Sequence, residues 1–375
     1  MFRSWYATCP RGAEASLEAE LKALGAKGVR PGQGGVRFTG EREVALRACL
    51  DLRTAIRVLE PVGEFPATTG DELYEGALKL PWADLIARGQ TLAVAASGRA
   101  DGLTNTHFVE QRLKDAAVDV LREKTGERPS VNPSHPDVLI VAHLYDGQVS
   151  VSLDLAGDLL SNRGYRLRTV EAPLREALAA AVVMLSGWDG TVPLLDPVCG
   201  SGTLVIEAAM IALRRAPNLN RVLACEKWPR TQAGDAPVLA RLRAELAARE
   251  IPLPAPIHAS DRDKEAIEAA RSNARAAKVP LLLEQTDARE AAPLDPPGQL
   301  LLNVPYGERL DAGGRKQLKT FYHQLGASMR RFEGHRAAIL SGSEDFESAF
   351  GVRPRGPKPV LWNGPLRCTL YNYEF

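Results

Sequence analysis

The sequence lacks features that mark whole classes of protein. No run of about 18 apolar residues occurs, so no segment is expected to span a membrane. The first residues enter a strand-and-helix pattern without the apolar stretch of a signal peptide, and we expect no secretory leader. The five cysteines form no C-x-x-C pair, and the six histidines lack the spacing of metal ligands. We therefore expect a cytoplasmic protein without disulfides or a metal site. We also expect a monomer.

The sequence also has little net charge. A formal charge of +1 does not by itself indicate a nucleic-acid-binding protein. Basic residues do cluster in three places, and these clusters are either solvated surface or contacts for a polyanion. The clusters occupy residues 161–175, 214–221 and 351–359.

A length of 375 residues is too great for one ordinary core and predicts two or three domains. Composition and the order of the predicted strands and helices divide the chain into three units at about 1–62, 63–160 and 161–375. In the second unit, residues 105–126 form an amphipathic helix pattern capped by Thr104 or Asn105 and ended by Gly126. Its predicted apolar face is formed by four residues: Phe108, Leu113, Val118 and Leu121.

The third unit alternates strands with helices, which predicts a doubly wound α/β fold with a mostly parallel sheet. Ligands bind such sheets at the carboxyl ends of the strands. The predicted strands lie at 192–198, 256–261, 281–287, 298–304 and 336–342.

The first strand leads into a glycine loop, "LLDPVCGSGTLVIE". Gly200 and Gly202 let the backbone approach a ligand near the start of a helix. The third glycine of a dinucleotide fingerprint is replaced by Val205. Asp196 at the strand end would repel a pyrophosphate. This pattern favours S-adenosylmethionine, which has no phosphate and carries cationic groups, over a nicotinamide cofactor.

The next two strands also end on acids. Asp261 is placed to accept hydrogen bonds from a ribose diol, and Asp287 to accept one from the adenine amine. Asp261 is equally suited to capping the helix that follows. Three acids at successive strand ends fit a nucleoside site better than three separate caps.

The fourth strand ends on Asn303, Val304, Pro305 and Tyr306. The Asn303 side-chain oxygen and the Val304 carbonyl would hold the hydrogens of an exocyclic amine and favour its attack on carbon. Pro305 stiffens the turn, and Tyr306 offers a stacking face for an extruded base. The alternative is an ordinary turn in which Tyr306 only packs.

Four stretches resemble the THUMP-domain RNA methyltransferases that act on guanine N2: "DPVCGSGTLVIEAA", "NVPYGERL", "SNRGYR" and "APLREALAAAVVMLSGW". The likeness is to the amino-terminal half of the bacterial ribosomal RNA methylase RlmL and its stand-alone relatives. TrmN-like transfer RNA enzymes are more distant.

The resemblance covers essentially the whole chain. It implies a ferredoxin-like module at 1–62, a THUMP RNA-binding domain at 63–160 and a Rossmann-like catalytic domain at 161–375. The implied substrate is structured RNA, with 23S ribosomal RNA favoured over transfer RNA. The implied cofactor is S-adenosylmethionine, held by a set of residues at the strand ends: Asp196, Pro197, Cys199, Gly200, Gly202, Asp261, Arg262, Asp287, Ala288 and Asn303.

Two details depart from the simplest pattern. The family motif is Asn-Pro-Pro-Tyr, and Val304 replaces its first proline, which keeps the carbonyl but adds an N–H and flexibility. Residues 214–256 resemble the family's insertion over the active site. A non-catalytic RNA-binding or assembly factor and an adenine-N6 methyltransferase remain alternatives.

Overall fold

The computed structural model describes residues 2–169, 174–306 and 312–375. Its strands form two seven-stranded sheets, one in each half of the chain. Val170–Pro173, which include the first residues of "APLREALAAAVVMLSGW", and Gly307–Leu310 of "NVPYGERL" lie outside the described residues.

The first sheet has the strand order β2-β3-β1-β4-β7-β6-β5, and only β5 and β6 pair in parallel. Its strands are β1 (Arg3–Thr8), β2 (Lys27–Gly32), β3 (Gly35–Gly40), β4 (Arg57–Pro66), β5 (Leu92–Arg99), β6 (Val138–Tyr145) and β7 (Gln148–Asp154). Its helices are α1 (Glu14–Ala23), α2 (Arg42–Asp51), α3 (Gly70–Leu78), α4 (Trp82–Leu85) and α5 (Thr106–Thr125). Strand β4 pairs with β1 on one side and β7 on the other, so the first two predicted units share one continuous sheet.

Helix α5 confirms most of its prediction. Asn105 is the amino-terminal cap, since its side chain accepts a hydrogen bond from the Phe108 backbone N–H. Gly126 ends the helix in the left-handed conformation, with φ of 77°. Leu113 is buried, but Phe108 is 44% exposed and its ring lies over Gly70. Leu113, Val118 and Leu121 share the buried face, and placing Phe108 on the same face was wrong.

The second sheet has the order β10-β9-β8-β11-β12-β14-β13, and its first five strands are parallel. This confirms the doubly wound fold and adds an antiparallel pair at one edge. Its strands are β8 (Leu194–Asp196), β9 (Ile257–Asp261), β10 (Leu282–Gln285), β11 (Gln299–Asn303), β12 (Arg336–Ser341), β13 (Val360–Asn363) and β14 (Leu366–Glu374). Its helices are α6 (Glu176–Leu185), α7 (Thr203–Ala212), α8 (Pro229–Ala248), α9 (Lys264–Ala277), α10 (Ala312–Met329) and α11 (Phe346–Phe350).

Residues 214–256 contain α8, and their contacts run to the amino-terminal half. Asp235 of α8 accepts a hydrogen bond of 2.7 Å from Arg42 of α2. Just before α8, the Cys225 N–H donates to the Leu155 carbonyl, and the Trp228 indole donates to the Asp137 carbonyl. The segment leaves α7 and enters β9 at the amino ends of the strands, where the Leu194 N–H donates to the Pro256 carbonyl. The prediction that this insertion covers an active site at the carboxyl ends was therefore wrong.

The two halves also share buried polar contacts. Arg53 donates to the carbonyls of Met210 and Arg215, and the Asn218 N–H donates to the Leu50 carbonyl. One hydrophobic core runs through both halves, and a second cluster lies under α10 and α11. Within the described residues no helix is both long and apolar enough to cross a membrane.

Candidate active site

The candidate site lies at the carboxyl edge of the second sheet, where the strand order reverses between β8 and β11. Ligands bind doubly wound sheets in the crevice at this switch point. The strand ends follow one another in space as Asp287, Asp261, Asp196 and Asn303. Asn303 therefore flanks Asp196, although Asp287 precedes it in the chain.

Asp196 is a buried acid at the centre of this row. It is 1% exposed, and its Oδ1 accepts a hydrogen bond of 3.0 Å from the Val198 N–H. Burial raises the pKa of its carboxyl well above the usual value, and the negative charge of Asp261 adds to the rise. No cation of the described residues forms an ion pair with Asp196. A cationic group from outside the chain would stabilise the ionised form of this acid.

The glycine loop beyond Asp196 is held by its neighbours. The Gly200 N–H donates to Asp261 Oδ2 at 3.0 Å, and the Cys199 N–H donates to the Ser260 carbonyl at 2.9 Å. Gly202 has φ of 84°, and a Cβ there would lie 3.1 Å from the Ala270 Cβ of α9. Only glycine suits this position, because the backbone is left-handed and α9 approaches closely.

Pro197 and Cys199 are both buried beside the loop. Burial raises the pKa of the Cys199 thiol well above its ordinary value. The thiol is therefore protonated at neutral pH, and it is a packing group rather than a nucleophile.

Asp261 is not the cap of the helix that follows. That role belongs to Asp263, whose side chain accepts from the Glu265 N–H at 2.8 Å. Asp261 itself accepts from the Gly200 and Asp263 N–H groups, one on each carboxylate oxygen. Each of these oxygens has a second lone pair, so hydrogen bonds from a diol remain possible. Arg262 beside it is exposed.

Asp287 is already engaged. Arg289 donates to both of its carboxylate oxygens, at 2.8 and 2.6 Å. These hydrogen bonds lower the pKa of the Asp287 carboxyl to about 2. An adenine amine would have to share this acid with Arg289, which sequence reasoning did not foresee. Ala288 next to it is buried.

Asn303 ends β11 with an unsatisfied acceptor. Its Oδ1 is buried and has no hydrogen-bond partner among the described residues. Buried polar atoms of native proteins nearly always have a partner, and an exception requires an explanation. A ligand that donates a hydrogen bond at this point is the simplest one.

The residues after Asn303 continue the strand pairing. The Val304 N–H, which the family's proline would lack, donates to the Leu340 carbonyl of β12 at 3.2 Å. The Val304 side chain is fully buried, and the Pro305 carbonyl accepts a hydrogen bond of 2.6 Å from the Tyr322 hydroxyl. From the sequence, we expected replacement of the family's proline by Val304 to make this turn more flexible. These contacts hold the turn in place instead.

Tyr306 is packed rather than free. Its ring lies so close to Gly342 that an added Cβ there would approach the ring's Cδ2 to 2.7 Å. Its hydroxyl accepts a hydrogen bond of 3.2 Å from the Asn363 side chain. Burial is the main cause that raises the pKa of this hydroxyl. Tyr306 therefore packs against Gly342 and the hydrophobic core, as the alternative of a packing tyrosine predicts.

Sequence reasoning missed two supporting residues and left a third without a role. Tyr322 of α10 fixes Pro305, and Asn273 of α9 bonds to the glycine loop. Glu207, noted only as part of a motif, is fully buried and accepts from the Tyr165 hydroxyl at 3.0 Å. Asn273 had a visible signal, since it is a polar residue in the alanine-rich helix "EAIEAARSNARAA".

The described residues contain no group of three or more histidine, cysteine, aspartate or glutamate side chains that could hold a metal ion. The five cysteines are buried free thiols.

Comparison with known families gives three matches along the chain. Residues 4–59 match the RlmL ferredoxin-like domain, residues 67–154 the THUMP domain, and residues 163–372 the RMKL-like methyltransferase domain.

Curated relatives and solved structures agree with these matches. A "Ribosomal RNA large subunit methyltransferase K/L" of Magnetococcus marinus is 40% identical over 98% of this chain and 52% of the relative. The chain thus spans about half the length of this relative. The "Putative RNA methyltransferase slr0064" of Synechocystis is 36% identical over 99% of this chain and 97% of the relative. A crystal structure of "a putative methyltransferase complexed with SAH" is 34% identical, covers 100% of this chain and 98% of its own, and gives a TM-score of 0.87.

Proposed function

Because this chain belongs to the family of RMKL-like methyltransferases, we propose that it methylates the exocyclic N2 of a guanosine in structured RNA. The methyl donor is S-adenosylmethionine, and large-subunit ribosomal RNA is the favoured substrate, followed by transfer RNA. The names of the relatives support the reaction class. The unsatisfied Oδ1 of Asn303 is the single observation of this chain that supports an amine as the acceptor.

The cofactor role rests on the row of strand-end acids. S-adenosylmethionine supplies an electrophilic methyl group and carries cationic groups. Asp196, buried without a cationic partner among the described residues, suits a cationic ligand and would repel a phosphate. Asp261 and the loop from Pro197 to Gly202 would hold the nucleoside, and Asp287 with Ala288 would border the adenine.

The chemistry rests on Asn303 and the turn after it. The amine lone pair of a guanine is delocalised into the ring, so the amine is a poor nucleophile. Acceptance of its hydrogens by Asn303 Oδ1 and by the Val304 carbonyl favours the pyramidal nitrogen that attacks carbon. The target base would stack against the side of Tyr306 that does not face Gly342.

We propose three functional units with boundaries near residues 62 and 160, supported by the extents of the three family matches. The first two units would bind RNA, and the third would bind the cofactor and act on the base. The protein would work as a monomer in the cytoplasm.

The test is transfer of a tritiated methyl group into fractionated RNA from a strain that lacks this protein. We expect label in large-subunit ribosomal RNA, recovered after digestion as N2-methylguanosine, and an initial rate of labelling that is lower by about 100-fold or more with the Asn303→Ala variant.

Two outcomes would overturn the proposal. Label recovered as N6-methyladenosine would assign the other base and favour an adenine methyltransferase. Binding of S-adenosylhomocysteine without transfer to any RNA fraction would favour a non-catalytic RNA-binding factor. Label confined to transfer RNA would overturn only the preference for the ribosomal substrate.

A further inference from the structure

The side-chain amide of Asn273 makes four hydrogen bonds, which is its full capacity. Asn273 lies on α9, is 1% exposed, and accepts on Oδ1 from the N–H groups of Leu167 and Arg168, at 2.9 and 3.1 Å. Its Nδ2 donates to the carbonyls of Arg168 and Ser201, at 2.9 and 3.0 Å. Backbone N–H groups only donate and carbonyls only accept, so the orientation of this amide is fixed.

Ser201 is the central residue of the glycine loop, between Gly200 and Gly202. The loop is bonded from one side by Asp261, which accepts from the Gly200 N–H, and from the other side by Asn273. Loss of either hydrogen bond would allow the glycine loop to move, and the proposed function places the backbone of this loop against the cofactor.

The other partners of Asn273 belong to residues 161–169, here named the connecting segment. Its Arg163 donates to the Arg53 carbonyl in the amino-terminal half. Its Tyr165 donates to Glu207 of α7. The connecting segment therefore forms a hydrogen-bonded path from the amino-terminal half to the glycine loop.

The outer surface of the connecting segment is open at the point where Asn273 holds it. The Leu167 side chain is 66% exposed, and that of Arg168 is 62% exposed. The Arg168 guanidinium lies 3.9 Å from Glu268, which is a weak contact at this exposure. An exposed arginine at this point is suited to a phosphate contact.

We infer that Asn273 is a positioning residue that couples RNA contact at the connecting segment to the conformation of the cofactor loop. The inference rests on the proposed function, because it takes RNA and S-adenosylmethionine as the two ligands. A ligand that orders the connecting segment also orders Ser201 through Asn273. By linkage, each ligand then raises the affinity of the protein for the other by the same factor.

The test measures the affinity for S-adenosylhomocysteine by calorimetry, with and without large-subunit ribosomal RNA transcribed in vitro. For the wild-type chain we expect RNA to tighten binding by about 5-fold or more, the lower end of typical coupling. In Asn273→Ala the factor should fall to about 1. The affinity without RNA should also fall about tenfold, because the Ser201 carbonyl loses its donor.

Two further variants separate coupling from general stability. Asn273→Asp keeps the shape and the bonds from Leu167 and Arg168 but turns an acceptor toward the Ser201 carbonyl, so it should also lose the coupling. Asn218→Ala is the control, since Asn218 is likewise buried, at 3% exposure, and its side-chain Oδ1 accepts a hydrogen bond of 3.2 Å from Arg221, whereas its bond to the Leu50 carbonyl is made by the backbone and is kept. It should lower the thermal midpoint and keep the wild-type coupling.

The outcomes are distinct. Coupling that is absent in the wild type, or retained in both Asn273 variants, would overturn this inference and leave the proposed function standing. Failure of the wild-type chain to bind S-adenosylhomocysteine at all would instead overturn the proposed function on which the inference rests.

Discussion

At the scale of single residues, the chain keeps two groups that cost stability. The first is Asn303, whose buried Oδ1 has no partner among the described residues. An unsatisfied buried acceptor costs about 1–3 kcal/mol of folding free energy. Such a cost is typical of functional sites, where stability is traded for activity.

Replacement of Asn303 should therefore move activity and stability in different directions. In Asn303→Ala we expect kcat for RNA methylation to fall by about 100-fold or more, because an acceptor for the amine is lost. The thermal midpoint of the protein without ligands should stay the same or rise slightly. The affinity for S-adenosylhomocysteine, measured in the same preparation, is the internal control. A wild-type methylation rate would exclude Asn303 from the chemistry.

The second costly group is Asp196, the buried carboxyl whose pKa is raised well above its usual value by burial. The Asp196 carboxyl thus binds its proton more tightly in the folded state than it does in the unfolded chain. The stability that the protonated group contributes is lost as the pH rises from the ordinary aspartate pKa through the raised folded pKa.

Asp196→Asn keeps the acceptor for the Val198 N–H and removes the charge. We expect it to raise the thermal midpoint at neutral pH by about 2–4 °C and to flatten the fall in stability across that pH window. Its affinity for S-adenosylmethionine should fall, because a cationic ligand loses its counter-charge. A lower midpoint at neutral pH would show that the ionised acid is not a cost to the fold.

At the scale of elements, the turn after β11 is shaped by its contact with the end of β12. Gly342 follows β12, and its closeness to the Tyr306 ring rather than a left-handed backbone makes glycine necessary there. In Gly342→Ala the ring must move, so kcat/KM for RNA should fall about tenfold while S-adenosylhomocysteine affinity is kept.

Gly234 in α8 is the matched control, because a Cβ added there has open space. Gly234→Ala should leave activity unchanged and stabilise the helix by about 0.5–1 kcal/mol. Equal activity of both glycine variants would mean that the placement of Tyr306 does not matter for methylation.

At the scale of the whole molecule, the two sheets are joined by buried contacts between side chains and backbone. The Arg53 side chain lies between the halves, where burial lowers the pKa of its guanidinium and the carbonyls of Met210 and Arg215 accept its hydrogens. We therefore expect urea unfolding to be a single transition, with fluorescence and circular dichroism coincident.

Arg53→Met should lower the free energy of unfolding by about 3 kcal/mol, because it removes the buried hydrogen bonds to the Met210 and Arg215 carbonyls and a positive charge near Glu20 and Glu207. Arg3→Met is the control: Arg3 is half-exposed and pairs with Glu60, so its loss should cost less than about 1 kcal/mol. Two separate transitions in the wild type would show that the halves fold independently.

The sequence by itself determined the doubly wound sheet, the strand-end positions of Asp196, Asp261 and Asn303, and a helix cap at Thr104 or Asn105. These features depend on neighbours within a few residues, such as hydrophobic alternation, glycine pairs and caps, and local patterns report them directly.

Only the tertiary structure decided which distant groups share a hydrogen bond. In the structure, Arg289 donates to Asp287, and the Val304 N–H donates to the Leu340 carbonyl. The Tyr306 ring contacts Gly342, and α8 contacts the amino-terminal half. The tertiary structure also placed Asn303 beside Asp196, since the strand order reverses between β8 and β11. Such pairings depend on strand order and helix packing, and residues far apart in the chain carry no local signal of them.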